Sequence, residues 1–115
     1  MALLIVTYYE DKEMRYEDKQ IPIVHFPEKL TMANSSDIKD EIRLLTMGKS
    51  NIIVDLAGTQ LVDSSGLACL VKARDHISCI LSPNENILAL LELTRLTEIF
   101  VIVDSVPDAL HVHKK

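Results

Sequence analysis

The residues best suited to chemistry in this chain are Asp63-Ser64-Ser65-Gly66-Leu67, which follow the aliphatic run Ile52-Ile53-Val54-Asp55-Leu56 and open a helical pattern. Asp or Ser directly before an apolar-periodic stretch reads as a helix N-cap, because its side-chain oxygen accepts a backbone N–H that has no partner inside the helix. Those free N–H groups and the helix dipole also favour negative charge, so a phosphate on either serine would be held rather than repelled. It would bring roughly −1.5 to −2 charge and three acceptor oxygens to the helix entrance. The plain alternative is that the serines only cap. Asp63 either orients the acceptor hydroxyl, or pairs with a partner cation, or makes a second cap contact. Gly66 either leaves room for a close-approaching partner or ligand or is simply tolerated in a first turn.

The elements that must position this segment can be read from periodicity. Leu3 to Tyr9 is rich in β-branched and aromatic residues, and the charged run Glu10 to Lys19 separates it from a second apolar stretch, Ile21 to Phe26. Two strands with no helix between them predict a hairpin. Pro27 closes the second strand. Asn34 then offers an N-cap with Asp37 three residues on, Ile38, Ile42 and Leu45 share a helical face, and Gly48 is the stop signal. The run Ile52 to Leu56, continuous and apolar with one Asp, predicts a central strand covered on both faces, as in parallel sheets. Leu67, Leu70, Val71 and Arg74 carry a helix that starts at the serines and persists to about His76. A short strand over Ser78 to Leu81, an aliphatic helix over Asn84 to Arg95, a last strand over Ile99 to Val103 and a final short helix capped within Ser105 to Asp108 complete the pattern. Alternating strands and helices predict an α/β domain with a mixed sheet.

Length and composition set the class. At 115 residues with 48% apolar content, residues 1–115 predict one domain with ample material for a core. The net charge of −5 comes with scattered Lys and Arg, so there is no electrostatic footprint for nucleic acid or an anionic membrane, and an acidic protein partner is disfavoured. The apolar start Met1 to Val6 lacks a basic region and a cleavage site, and no stretch approaches the roughly 20 apolar residues of a span. The expected location is cytoplasmic. Cys69 and Cys79 stand ten apart among aliphatics, which predicts two buried reduced thiols rather than a disulfide or metal pair. No metal site and no cofactor are expected.

The string from Asn51 to Leu67, an aliphatic strand ending in Asp-Leu, a short loop, an apolar residue and then Asp-Ser-Ser-Gly-Leu, resembles the central signature of STAS domains, above all bacterial anti-sigma-factor antagonists. The resemblance extends to Ile21–Leu45, which looks like the family's second strand and first helix, and to Leu81-Ser82-Pro83, which looks like the turn before its third helix. It implies a STAS-like fold: a mixed, mostly parallel sheet of about four to five strands with about four helices. It also implies a non-enzymatic, phosphorylation-switched binding protein in sigma-factor regulation. By position the phosphoryl acceptor is Ser64, with Ser65 as the alternative. The implied partner-binding residues are Asp63, Ser64, Ser65, Gly66 and Thr31. The implied partners are an anti-sigma factor that is also a serine kinase and a serine phosphatase that resets the switch.

Two departures from the family pattern stand out. The stretch between the serine-bearing helix and Leu81-Ser82-Pro83 is short, which implies either a clipped helix or, as the preferred explanation, a segment absent near His76 to Cys79. Thr31 falls where many family members carry Asp, which weakens carry-over of the partner surface. The apolar residues of the helix over Ile87 to Leu93 lie on more than one side, so an exposed patch for a partner or for weak self-association is expected.

Three rival readings are weighed. A hydrolase using Ser64 or Ser65 would need an oriented base and an oxyanion hole, yet there is no Gly-x-Ser-x-Gly elbow. His25, His76, His111 and His113 give no recognisable arrangement, and the i,i+2 spacing of the last two makes a poor metal pair. A phospho-Asp receiver is suggested by Glu10-Asp11 and Asp55, but it needs a helix directly after the first strand, and Mg²⁺ binding would discriminate it. Asp55 reads instead as a strand-end residue bonding a loop. The third rival is a scaffold or ligand-sensing STAS module whose serine is never phosphorylated.

Overall fold

The computed structural model describes residues 4–10, 20–47 and 51–113. The expected stop at Gly48 and most of the charged run after Glu10 lie outside these residues. Strands β1 (Ile5–Glu10) and β2 (Gln20–His25) pair antiparallel, with Val6 opposite Val24 and Tyr9 opposite Ile21. This is the expected hairpin, and its antiparallel pairing differs from the parallel strand–helix–strand unit of a receiver domain. Beyond β2 the chain makes a two-residue strand β3 (Lys29–Leu30), helix α1 (Ser35–Thr46) and strand β4 (Ile52–Asp55). A second two-residue strand, β5 (Leu61–Val62), precedes helix α2 (Ser64–Lys72), and strand β6 (Ile77–Leu81) follows it. Helix α3 (Glu85–Leu93), strand β7 (Ile102–Val103) and helix α4 (Val106–His113) end the fold.

The main sheet has the order β1-β2-β4-β6-β7. Only the β1–β2 pair is antiparallel. The central strand β4 is apolar up to its last residue, Asp55, because both of its faces are covered. Ile52, Val54 and Leu56 face α1, α2 and α3, where they meet Ile38, Ile42, Leu70, Ile87 and Leu91. Ile53 faces the other way, into a smaller cluster with Ile23, Cys79 and Ala109 of α4. Each of these large aliphatic side chains contributes about 1.5–3 kcal/mol on burial. Helix α1 turns Ile38 and Ile42 inward as the sequence periodicity predicts, and Leu45 packs at the edge.

Four details depart from the expected elements. Asn34 starts α1 without capping it: its Oδ1 accepts from the Thr31 N–H at 3.0 Å and its Nδ2 donates to the Lys29 carbonyl at 2.7 Å, so it braces the preceding turn. The helix bearing the serines ends at Lys72, not near His76. The Ala73 N–H is shared between the Cys69 and Leu70 carbonyls, and a 3-10 turn over Arg74–His76 delivers the chain into β6. The short connection is thus closed by a clipped helix, and no additional segment is needed to span it. Helix α3 stops at Leu93 because Arg95 takes a left-handed conformation (φ 62°). The expected last strand shrinks to Ile102–Val103, since Leu96–Glu98 form a second 3-10 turn and Phe100 dives into the core. In α3, Ile87 and Leu91 are buried while Leu93 is 81% exposed, so its apolar excess is partly on the surface.

Candidate functional site

Strands β2, β4 and β6 all end on the same edge of the sheet, and the loops leaving that edge are laced together. Strands β3 and β5 pair in parallel, Lys29 with Leu61 and Leu30 with Val62. The Gln60 N–H donates to the Glu28 carbonyl (2.7 Å), and the Asp63 N–H to the Leu30 carbonyl (3.2 Å). Thr59 is fully buried, and its hydroxyl donates to the Pro27 carbonyl at 2.8 Å, so a polar side chain in the interior is satisfied. The third loop joins through Asn84, whose Nδ2 donates to the Thr59 carbonyl (3.2 Å) while its Oδ1 caps α3 at the Ile87 N–H (2.8 Å). The carboxyl edge of parallel strands is where α/β folds place their binding sites. Here that edge has been stiffened by backbone pairing.

Asp63 is the hinge pin of this arrangement. Its Oδ1 accepts from the Gly66 N–H at 2.8 Å, which caps α2. Its Oδ2 accepts from the Met32 N–H at 3.0 Å, which ties the loop before α1 to the start of α2. The Gly66 and Met32 amides hold the Asp63 carboxyl below its ordinary titration range, because both hydrogen bonds favour the charged form. Of the sequence readings for Asp63, the cap contact is present, together with a tether between loops that no local pattern announces.

Ser64 is the first residue of α2 and is exposed, whereas Ser65 is half-buried and faces the groove between α1 and α2. Gly66 is buried, and the partner that approaches it closely is the chain itself. A Cβ there would overlap the Leu30 carbonyl oxygen and stand 2.9 Å from both Leu30 Cγ and Val62 Cγ1. Thr31 is half-buried and its hydroxyl accepts from the Ala33 N–H at 3.3 Å. It directly precedes Met32, so the Asp63 tether brings the Thr31 turn to the start of α2.

Sequence reasoning missed two apolar residues beside this site. Met32 is 79% exposed and Leu61 51% exposed, one on each of the laced loops. An isolated Met and an isolated Leu in loops carry no periodic signal. Their significance comes only from the pairing of the two loops and the bond from the Met32 N–H to Asp63.

The histidines fall elsewhere. His25 Nδ1 is 2.6 Å from Asp55 Oδ2, and His25 Nε2 is 2.8 Å from the Thr7 hydroxyl, a line of three residues across β4, β2 and β1. Asp55 also bonds its own loop as expected, its Oδ1 accepting from the Ala57 N–H at 2.9 Å. The hydroxyl that meets the His25 imidazole is therefore that of Thr7, not of Ser64 or Ser65. His76 and His111 are exposed, and His113 Nδ1 lies 2.7 Å from the Ser78 hydroxyl. Among the described residues no group of His, Cys, Asp or Glu could hold a metal ion, and no helix is long and apolar enough to cross a membrane. Cys69 and Cys79 are free and buried.

Comparison with known proteins places this geometry. The structure superposes on an anti-sigma factor antagonist from Mycobacterium paratuberculosis with a TM-score of 0.75 at 13% identity, covering 97% of this chain and 95% of that one. An anti-sigma-factor antagonist (STAS) domain protein from Planctomyces limnophilus matches with a TM-score of 0.74 at 15% identity, covering 96% of this chain and 98% of that one. The murine anion transporter Slc26a9 contains a similar unit: TM-score 0.66, 17% identity, 82% of this chain but only 18% of the transporter. At these identities the likeness is one of fold. The STAS domain profile matches residues 14–109, most of the length, and spans every part of the laced edge. This chain is a member of the STAS domain family.

Proposed function

We propose that the domain is an anti-sigma-factor antagonist whose unphosphorylated form binds an anti-sigma factor that is also a serine kinase, releasing sigma factor. Phosphorylation of Ser64 switches that binding off, and a serine phosphatase restores it. The observation that carries this reading is the position of Ser64: exposed, first in α2, beside a cap already made by Asp63, with Met32 and Leu61 exposed on the loops that Asp63 adjoins. Because Asp63 and not Ser64 caps the helix, the Ser64 hydroxyl can be modified without unmaking the fold.

The free N–H groups of the first turn offset part of the charge of a phosphate there, so the helix end need not refold. Met32 and Leu61 supply no such compensation. A dianion set beside Met32 and Leu61 must be desolvated for a partner to close over those apolar side chains, and an unpaired buried charge costs several kcal/mol. The switch thus acts by making docking unfavourable, not by moving the domain.

The test is mass spectrometry on protein from its native host, with and without the candidate kinase and ATP. One phosphate on Ser64, absent in Ser64→Ala and abolishing kinase binding, supports the reading. Modification of Ser65 alone moves the acceptor by one residue. No phosphorylation by any cognate kinase favours the scaffold or ligand-sensing reading.

A further inference from the structure

Helices α1 and α2 lie side by side and run in the same direction, since each precedes a strand of the parallel set and both pack on one face of the sheet. Between them is a groove of about 210 Å³ lined by Ser35, Ser36 and Lys39 of α1 and by Ser65, Cys69 and Lys72 of α2, with Ala68 at its wall. That volume is below the ~300 Å³ at which drug-sized ligands begin to be enclosed. It suits a small ion or a single charged group.

The chemistry of the lining is one-sided. It holds three hydroxyls and two ammonium groups, and none of its side chains is a carboxylate. On a chain of net charge −5, Lys39 and Lys72 make no ion pair with any described residue. Asp40, the nearest acid along α1 to Lys39, is turned instead to Arg43 at 3.9 Å. Helical side chains lean toward the N-terminus of their helix, so both lysines reach back toward the hydroxyl-bearing end of the groove. Their fields converge on the floor: burial pushes the Cys69 thiol up, and Lys39 and Lys72 each pull it back toward the thiolate.

We propose that the groove between α1 and α2 is a binding site for a phosphate dianion, free or as the end group of a small phosphomonoester. Lys39 and Lys72 supply the charge, and Ser35, Ser36 and Ser65 donate hydrogen bonds to the phosphate oxygens. The proposal stands apart from phosphorylation of Ser64 and requires no kinase. Its lining includes Ser65, the neighbour of Ser64 in the chain, so a dianion seated in it opposes, by like charge, the arrival of a second one at the start of α2.

The test is an amide-resolved NMR titration of the wild-type domain with inorganic phosphate, with glycerol phosphate as a second arm and chloride at matched ionic strength as the control. The expected result is saturable shifts at Ser35, Ser36 and Ser65 with a Kd on the order of 1 mM. In Lys39→Gln/Lys72→Gln, affinity falls about 10-fold or more while the far-UV circular dichroism and melting temperature stay unchanged. Saturation by phosphate alone assigns the site to the free ion, and tighter saturation by glycerol phosphate assigns it to the ester. Shifts that chloride reproduces, that do not saturate, or that persist undiminished in the double variant overturn the proposal.

Discussion

Replacing Gly66 by alanine tests whether the site is built by intramolecular packing. Taken alone, the substitution favours the helix, because Ala is better than Gly there by up to about 1 kcal/mol. The structure reverses the sign. The new methyl overlaps the Leu30 carbonyl oxygen and crowds Leu30 Cγ and Val62 Cγ1 at 2.9 Å; the first is backbone, and the β-branched Val62 has little rotamer freedom to give way. Leu30 is fully buried, so β3 and α2 must separate. Overpacking of this kind costs about 1–3 kcal/mol. Separation also stretches the hydrogen bond from the Asp63 N–H to the Leu30 carbonyl, already 3.2 Å, a further loss of about 0.5–1.5 kcal/mol. After the helix gain is subtracted, the expected net destabilisation is about 2 kcal/mol, a fall in Tm of roughly 5–10 °C for a chain of this size. Urea unfolding followed by far-UV circular dichroism reads it as a lower midpoint at unchanged slope. Gly58→Ala is the internal control, because a Cβ there meets nothing within 4 Å. It is expected to be neutral or stabilising by about 0.4–1 kcal/mol through the unfolded chain. A Gly66→Ala protein as stable as the wild type would refute the close approach of α2 to β3.

Further outcomes follow from the same edge of the sheet. Asn84→Ala removes the α3 cap and the bond to the Thr59 carbonyl, so it should cost about 1–2 kcal/mol by thermal melting, and Asn84→Asp, which keeps the cap but not the donor, should recover part of that. Asp63 titrates below the ordinary carboxylate value when folded, so the stability it lends is fully present above about pH 4 and is lost as pH falls through its folded value. Stability measured from pH 6 down to pH 2 should therefore fall less steeply in Asp63→Asn, and identical profiles would count against the two amide bonds. Burial pushes the Cys79 thiol up to about 11. Iodoacetamide at pH 8 should accordingly leave Cys79 unmodified in the folded protein and alkylate it in urea. Because the folded value is raised, the contribution of Cys79 to stability is intact below the unfolded thiol value of about 8.5 and lost as pH rises from there toward 11. Ser64→Ala touches no hydrogen bond in the fold and should change stability by no more than about 0.5 kcal/mol, which makes it a clean probe of the proposed switch.

What the sequence determined by itself is whatever local pattern and local chemistry specify. The run Ile52 to Leu56, apolar but for Asp55, could only be a strand covered on both faces, and Ile38 and Ile42 could only be one side of a helix packed on it. Asp63 ahead of Ser64 specified a capped helix entrance, since the cap is made by residues three apart in the chain. Tertiary structure decided the rest. Strands β3 and β5 are two residues each and have no periodicity to read; they exist because the loops leaving β2 and β4 are carried side by side and can pair. Local pattern leaves Gly66 open to two readings, room for a partner or ligand and plain tolerance in a first turn, and it is Leu30 and Val62, distant in sequence, that occupy the space. The clipped end of α2, the partial exposure of Met32 and Leu61, and the pairing of Lys39 with Lys72 across a groove each depend on residues distant in sequence. A local reading identifies the hydroxyl that can accept a phosphate, but the surface around it is made of long-range contacts, and only the folded chain brings those residues together.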